Sequence, residues 1–320
     1  MGSNAAVFTS ASSSSMNQHH PWSLHYLYIW AYTRLLRFLV LRRFPASPPY
    51  ENPKVVRTEG TVPSREKGRA IRVIHYRPVS AAPEEALPIL INFHGAGFII
   101  PRLGAEQEFC STVAERLGWL VIDCDYRKAP EYPFPWGLED AEDAALHILE
   151  HVPHKTISTS GFSSGGSIAL GLAIVLGPDR IRSTAAFYPS TNIDADTHAQ
   201  SIDPPLPPSF LRHIRACYVV PGTSITDPRI SPAYASKEEL PRHLWLGAGT
   251  VDPLHDAAKV FMERIQKEGH PDAVFRSIKH TGHGFVPLGP ESAGLQGKAK
   301  EMREEAMAFL QKSVQQDLGM

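Results

Sequence analysis

The chain has 320 residues, of which 42% are hydrophobic and 20% charged, and its formal net charge is −1. This composition is typical of a globular protein with one large domain or two small ones. The balanced charge, without a basic patch among aromatic residues, argues against a nucleic-acid partner. The 3 cysteines, Cys110, Cys124 and Cys217, fit neither a disulfide framework nor a zinc spacing, which predicts reduced thiols in a cytoplasmic protein. The 15 histidines show no His-Glu-x-x-His or similar ligand spacing, so we expect no metal.

The N-terminal part is the least globular part of the sequence. Residues 1–20 are rich in Ser, Ala and Asn, which predicts a disordered leader. Residues 21–50 predict an amphipathic helix that belongs to a cap. The uncharged stretch at 21–33 is shorter than the about 20 apolar residues that a membrane span needs. Because this segment is basic and aromatic, two interpretations stay open: residues 21–43 pack on the body of the protein, or they contact a membrane surface peripherally.

Residues 51–320 alternate between strand and helix patterns. Several of the strand patterns are continuous apolar runs, which is typical of strands buried on both faces of a sheet. Strands are predicted at 70–76, 87–95, 119–126, 156–162, 183–190, 243–249 and 273–279, and helices at 104–118, 137–152, 167–177, 253–268 and 296–316. This alternation predicts an α/β fold with a mostly parallel central sheet flanked by helices.

Residues 191–240 interrupt the alternation. The stretch contains the proline-rich run "DPPLPPSF" and one helical pattern at 210–218. An insertion of this length between two strands usually covers a functional site. Together with the N-terminal helix, it predicts a helical cap over the carboxyl ends of the strands, where open α/β sheets bind ligands.

The stretch "GFSSGG" lies between a strand pattern and a helix pattern. Its Gly161-x-Ser163-x-Gly165 spacing is the signature of a nucleophile elbow, a strained turn that exposes the serine hydroxyl above the sheet. Glycines are expected on both sides because the backbone there passes too close to neighbouring elements for a side chain. The sequence therefore predicts Ser163 as a nucleophile.

A serine hydroxyl needs a base, and the base needs a group that orients it. In this architecture the acid and then the histidine follow the serine on loops after later strands. Asp252 follows the strand pattern "HLWLGAG" and is preferred over Asp256, which lies inside the next helix. His283, between two glycines after "AVFRSIK", is preferred over His280.

The loop "HGAGF" follows the strand pattern at 87–95 and is expected to supply backbone N–H donors for an oxyanion. The N–H of the residue after the nucleophile, Ser164, is expected to complete this set. His94 is interpreted as a brace of the loop.

The motifs "HGAGF", "DYRKAPEYPFP", "GFSSGG", "DPL" and "HGF" occur in this order over residues 88–285. In this the chain resembles the hormone-sensitive-lipase-like carboxylesterases of the α/β-hydrolase fold. The resemblance implies an α/β-hydrolase fold whose cap comes from the N-terminal helix and the insertion at 191–240. It implies a triad of Ser163, Asp252 and His283, and an oxyanion hole made by Gly95, Ala96 and Ser164 with Gly97 adjacent.

Two residues depart from the pattern of that family. Ala96 stands where the family usually has the middle glycine of His-Gly-Gly-Gly, and a positive φ there would cost about 1–2 kcal/mol. Phe162 stands before the nucleophile, where the family usually has Asp, and Ser164 replaces the usual Ala after it. The resemblance also implies that Asp125, Arg127 and Glu131 support the oxyanion loop rather than react.

The predicted function is hydrolysis of a small to medium apolar, or specialised-metabolite, carboxylic ester through an acyl-enzyme, with no cofactor. Two alternatives stay open: a lyase, dehydratase, cyclase or lactonase on the same scaffold, and a non-catalytic small-molecule receptor. The expected partner is a small-molecule ester, and assembly into a homodimer is left open.

Overall fold

The computed structural model describes residues 19–45, 48–195, 208–288 and 293–318. The eight strands are β1 (Val55–Pro63), β2 (Ala70–Pro78), β3 (Ile89–Phe93), β4 (Leu120–Cys124), β5 (Ile157–Phe162), β6 (Ile181–Phe187), β7 (His243–Gly249) and β8 (Asp272–Ile278). The helices are α1 (Leu24–Arg43), α2 (Gln107–Leu117), α3 (Trp136–His151), α4 (Ser164–Leu176), α5 (Pro208–Tyr218), α6 (His255–Lys267), α7 (Phe285–Leu288) and α8 (Ala293–Leu318), with a 3-10 turn at Pro232–Tyr234. Most of the predicted disordered leader, residues 1–18, lies outside the described residues.

The sheet has the strand order β1-β2-β4-β3-β5-β6-β7-β8. Strands β1 and β2 pair antiparallel, β2 pairs antiparallel with β4, and all further pairs are parallel. This confirms the predicted α/β class and every strand named from the sequence. Strand β1 was not predicted, because it lies at the sheet edge and Val62 is its only buried residue, so it lacks an apolar run.

Helices cover both faces of the sheet. Strands β3, β5 and β7 are buried along their whole length, as their continuous apolar runs predict. Helices α3 and α4 share one apolar core with the strands, α2 and α8 share a second, and α6 packs in a third. The parallel strands therefore end at one common edge, which brings the loops after β3, β5, β7 and β8 together.

Helices α1 and α5, which lie in the two segments predicted to form the cap, pack against each other. Helix α5 confirms the predicted helical pattern at 210–218, and residues 196–207 of the predicted insertion lie outside the described residues. Thr33 of α1 is fully buried, and its hydroxyl lies 2.9 Å from Nε2 of His213 and 3.3 Å from Sγ of Cys217 in α5. Helix α1 is shorter than the predicted segment 21–50.

Helix α1 also differs from the prediction in its pattern. It is apolar on its solvent side as well as on its packed side, so it is not amphipathic in the usual sense. Within the ranges that the structure describes, no helix has the length and apolarity needed to cross a bilayer. All three cysteines are buried and form no disulfide.

Candidate active site

Ser163 lies in a strained turn between β5 and α4. Its backbone has φ 51° and ψ −119°, a conformation that a residue with a side chain rarely adopts. A Cβ on Gly161 would lie 2.3 Å from the carbonyl carbon of Gly165, and a Cβ on Gly165 would lie 2.0 Å from the carbonyl oxygen of Phe93. The two glycines are therefore needed for the close approach that the elbow signature predicts.

The structure brings the three predicted triad residues together. Oγ of Ser163 lies 2.8 Å from Nε2 of His283, and Nδ1 of His283 lies 2.9 Å from Oδ2 of Asp252. Asp252 and His283 stand on the loops after β7 and β8. Since Asp252 is fully buried and its carboxylate only accepts, the proton of His283 belongs on Nδ1, which leaves Nε2 to accept the hydrogen bond of Ser163.

The two residues that the sequence ranked lower lie elsewhere. The side chain of Asp256 is 89% exposed and pairs with His255. His280 is exposed, and its backbone N–H donates to Oγ1 of Thr250. Neither side chain takes part in the hydrogen bonds that join Ser163, His283 and Asp252.

Tyr188 is a neighbour of the triad that the sequence did not indicate. It directly follows β6, and its ring packs edge-on against the ring of His283 with the centroids 4.9 Å apart. Its φ of 40° and its full burial hold the ring in place. The only signal in the sequence was its place at the end of a strand pattern, on the same edge as the triad.

Side chains accept hydrogen bonds from two backbone N–H groups of the oxyanion loop. The N–H of Gly95 donates to Oε1 of Glu106 at 3.2 Å, and the N–H of Ala96 donates to Oγ of Ser164 at 2.9 Å. Two of the three predicted donors, Gly95 and Ala96, are therefore engaged by side chains. The N–H groups of Gly97 and Ser164 have no protein acceptor within the described residues.

The Ser164 hydroxyl is fixed in a chain of hydrogen bonds. The hydroxyl of Tyr126 donates to the carbonyl oxygen of His94 at 3.0 Å, so it accepts from the Ser164 hydroxyl, 3.2 Å away. The Ser164 oxygen is thereby left as the acceptor for the Ala96 N–H. The expected strain at Ala96 is absent, because the positive φ values of the loop fall on Gly97 (60°) and Phe98 (62°).

Two acidic side chains are buried beneath the oxyanion loop. Burial raises the pKa of Glu106 well above its ordinary range, and the charge of Asp123 raises it further. Burial also raises the pKa of Asp123 to about 7, against hydrogen bonds from Asn92 and from the N–H of Gly104. Oε2 of Glu106 has no hydrogen-bond partner in the described structure. Burial thus favours the neutral form of Glu106, whose Oε1 accepts the N–H of Gly95.

His94 braces the loop, as expected. Its side chain is fully buried, its ring stacks on the Tyr126 ring at 4.7 Å, and its Nε2 lies 3.4 Å from Oδ1 of Asp125. Burial lowers the pKa of His94 to about 4, so the ring is neutral at neutral pH. Of the three residues expected to support the loop, only Asp125 does so directly. Arg127 pairs with Asp140 at 2.9 Å, and Glu131 pairs with Arg37 of α1 at 2.8 Å.

Helix α5 covers the oxyanion loop. A Cβ on Gly97 would lie 2.7 Å from Cδ1 of Ile214, so the loop and the cap helix are in direct contact. The ring of Phe98 stacks on the ring of Tyr218 with the centroids 3.8 Å apart and the planes 7° apart. Phe162, which directly precedes Ser163, is by contrast 1% exposed and stacks on Phe187 in the core, so it does not line the site.

A candidate metal-binding cluster lies away from this site, on α3. Ligand atoms of His147, Glu150 and His151 lie within 4.8 Å of one another, and the cluster is largely exposed. Its His-x-x-Glu-His spacing is a ligand-like pattern, so the prediction that the histidines show none was wrong. The cluster shares no residue with the triad.

Comparisons with known proteins agree with the geometry. A family model described as "alpha/beta hydrolase fold" matches residues 90–287. An AB hydrolase superfamily protein of Schizosaccharomyces pombe is 29% identical over 61% of this chain, and the match spans 62% of that protein's length. Tuliposide A-converting enzyme 1 of Tulipa gesneriana is 26% identical over 82% of this chain and 70% of its own length. Ethyl acetate hydrolase of Pseudomonas putida is 26% identical over 78% of this chain and 80% of its own length.

Solved structures show the same fold. An ester hydrolase from the metagenome of Lake Arreo, complexed with a bipyridine phosphonate derivative, has a TM-score of 0.76 at 24% identity, covering 88% of this chain and 90% of that one. Carboxyl esterase 2 of Tuber melanosporum has a TM-score of 0.72 at 21% identity, and the match covers 92% of this chain and 99% of that one.

Proposed function

Because this chain belongs to the α/β-hydrolase fold family, as the ordered motifs predict, we propose that it is a carboxylesterase-type serine hydrolase. The observation that carries the proposal is the continuous hydrogen-bonded path from Ser163 through His283 to Asp252. The names of the relatives, which include an ethyl acetate hydrolase, support the same reaction class.

The proposed reaction passes through an acyl-enzyme. Nε2 of His283 takes the proton of Ser163 as its oxygen attacks the ester carbonyl carbon. His283 then gives this proton to the leaving alkoxide, and the alcohol departs. A water molecule, deprotonated by His283, attacks the acyl-enzyme, and the proton returns to Ser163 as the acid is released. Asp252 holds the ring orientation and stabilises the imidazolium. The reaction draws on no cofactor.

The N–H groups of Ser164 and Gly97 are the best-placed donors to the oxyanion, because neither has a protein acceptor in the described residues. Ala96 can join them only after its N–H leaves the Ser164 hydroxyl. Gly95 is the least suited of the predicted donors, because its N–H is engaged by the buried Glu106. Each donor contributes about 10²–10³-fold in rate.

The substrate class follows from the cap. The side chains that α5 and the oxyanion loop bring together, Ile214, Phe98 and Tyr218, are apolar or aromatic. Apolar surroundings of this kind beside the oxyanion loop favour an apolar acyl or alcohol group of small to medium size over a charged one. We therefore propose a neutral carboxylic ester as the substrate.

The test compares purified wild type with Ser163→Ala on p-nitrophenyl esters of increasing chain length. We expect kcat/KM to fall by about 10⁴-fold or more in the variant, with an unchanged melting temperature. Ser224→Ala, in an exposed loop, is the control and should hydrolyse the esters like wild type. Equal activity in wild type and Ser163→Ala would refute the proposed nucleophile.

A non-hydrolytic reaction on the same triad is the second candidate. The tulip relative is named a converting enzyme, and its 26% identity equals that of the ethyl acetate hydrolase, so similarity does not separate the two reaction classes. Isotopically labelled water decides between them. A label in the acid product indicates hydrolysis, whereas an unlabelled product indicates elimination, cyclisation or acyl transfer within the substrate. Tight ligand binding without any turnover would instead indicate a receptor.

A further inference from the structure

One side of helix α1 is firmly attached to the protein. Ile29 and Thr33 are buried on this side, and Arg37 reaches inward. Nε of Arg37 donates to the carbonyl oxygen of Ile99 at 2.6 Å, and its guanidinium pairs with the carboxylate of Glu131 at 2.8 Å. The helix therefore has a fixed inner side and a fixed outer side.

The outer side of α1 is apolar and uncovered in the described structure. Residues spaced at i, i+4, i+7 and i+11 share one side of a helix. The large apolar residues of the outer side are Leu24, Leu27, Tyr28, Leu35, Phe38 and Leu39, with exposures of 87%, 45%, 63%, 55%, 60% and 51%. Trp22 before the helix and Phe44 after it are 83% and 52% exposed. We name these eight residues the outer face of α1.

The charged residues of α1 itself all have one sign, although Arg34 also lies 3.5 Å from the carboxylate of Glu131. Helix α1 contains no acidic residue, and its other arginines, Arg34, Arg42 and Arg43, are exposed. By their helical positions, Arg34 and Arg43 flank the outer face, and Arg42 lies at its C-terminal end. Aromatic and aliphatic side chains bordered by arginines match the boundary between acyl chains and anionic headgroups.

A second copy of the chain fits this face less well. The 20 residues of α1 form a cylinder about 30 Å long and about 10 Å wide, so one side offers about 300 Å². A stable protein interface needs about 800 Å² per partner. Two such helices would also bring arginines together without a carboxylate on either helix to pair with them. A bilayer needs no complementary shape and supplies the missing negative charge.

We propose that the outer face of α1 binds the surface of an anionic lipid bilayer, with the helix axis parallel to the membrane plane. The inner side stays on the cap, so binding needs no unfolding of the contacts at Thr33 and Arg37. Because α1 packs on α5, and α5 covers the oxyanion loop, binding in this orientation turns the cap side of the molecule toward the lipid. The proposal does not depend on ester hydrolysis.

The test measures sedimentation of the full chain with vesicles of phosphatidylcholine alone and of equal parts phosphatidylcholine and phosphatidylserine. We expect binding to the anionic vesicles, weaker binding to the neutral ones, and a decrease with added salt. Leu35→Ser/Phe38→Ser should lower the partition coefficient by about 100-fold, since burial of each side chain contributes at least about tenfold. Arg42→Gln/Arg43→Gln should lower it by about fivefold per arginine on anionic vesicles only.

The matched control is Val79→Ser/Val260→Ser, which removes exposed apolar side chains on other surfaces. It should bind like wild type, and all variants should keep the wild-type melting temperature. The proposal is overturned if wild type binds neither kind of vesicle or binds neutral and anionic vesicles equally well. It is also overturned if Leu35→Ser/Phe38→Ser binds anionic vesicles as tightly as wild type. A dimer in light scattering that Leu35→Ser/Phe38→Ser dissociates, without vesicle binding, would assign the face to a second copy instead.

Discussion

The substitution Asp252→Asn tests how the proposed triad works as a unit. Oδ1 of Asp252 accepts the N–H of Leu254 at 2.8 Å, and Oδ2 faces Nδ1 of His283 at 2.9 Å. An asparagine must keep its oxygen on the Leu254 N–H, because that buried donor has no other acceptor nearby. Its NH₂ group then points at Nδ1 of His283.

An amide donor at Nδ1 reverses the tautomer of His283. Nδ1 must then accept, and the proton moves to Nε2, which lies 2.8 Å from Oγ of Ser163. The ring would donate to the serine and could no longer take its proton. We expect kcat to fall by about 10⁴-fold, which is about 5.5 kcal/mol of transition-state stabilisation. The size of the side chain is unchanged, so the melting temperature should stay close to that of wild type.

The assay is steady-state hydrolysis of a p-nitrophenyl ester that wild type accepts, together with thermal unfolding. The control is Asp256→Asn, because Asp256 is 89% exposed and lies four residues further on. It should keep wild-type kinetics. A loss smaller than tenfold in a folded Asp252→Asn protein, or an equal loss in both variants, would refute this reasoning about the tautomer.

Two further predictions concern the surroundings of the oxyanion loop. Ser164→Ala removes the hydroxyl that accepts the N–H of Ala96 at 2.9 Å, so this N–H becomes free to bind the oxyanion. We expect kcat to rise by about fivefold, which corresponds to the net free energy of one hydrogen bond. A lower kcat in the folded variant would contradict this. Asp123 has its pKa raised to about 7, so the folded state binds its proton more tightly than the unfolded state, and its stabilising effect is complete below about pH 4 and lost as pH rises to 7. Chemical unfolding between about pH 4 and 7 should show the free energy of unfolding of wild type falling by up to about 4 kcal/mol relative to that of Asp123→Asn. If the two proteins instead lose stability in parallel, the buried carboxyl of Asp123 is not the cause of the pH dependence.

The sequence was sufficient for the parts of the fold that depend on local pattern. Buried strands such as β3 and β7 could be predicted because short, continuous apolar runs are typical of strands covered on both faces. The elbow at Ser163 could be predicted because only glycines tolerate the contacts that Gly161 and Gly165 make. The edge strand β1 could not, because its exposed residues include Thr58 and Glu59, and edge strands need no apolar pattern.

The acid and the histidine were predictable for a different reason. Each follows a parallel strand, and parallel strands end at one edge of the sheet, so topology alone brings Asp252 and His283 to Ser163. Tyr188 obeys the same rule, but its ring carries no proton-transfer chemistry at neutral pH, so nothing in its residue type drew attention to it.

The donors of the proposed oxyanion hole could not be chosen from the loop sequence, because side chains from elsewhere decide which backbone N–H groups are available. Glu106 lies beyond the loop, yet its burial determines that the Gly95 N–H is already engaged. Ser164 competes for the Ala96 N–H through a hydroxyl that the elbow signature leaves unspecified. A neutral hydroxyl is a weaker acceptor than an oxyanion, because charge-assisted hydrogen bonds are roughly twice as strong. Transfer of the Ala96 N–H from Ser164 to the oxyanion would therefore occur as charge develops, and a contact made only in the transition state is one that raises kcat rather than lowering KM.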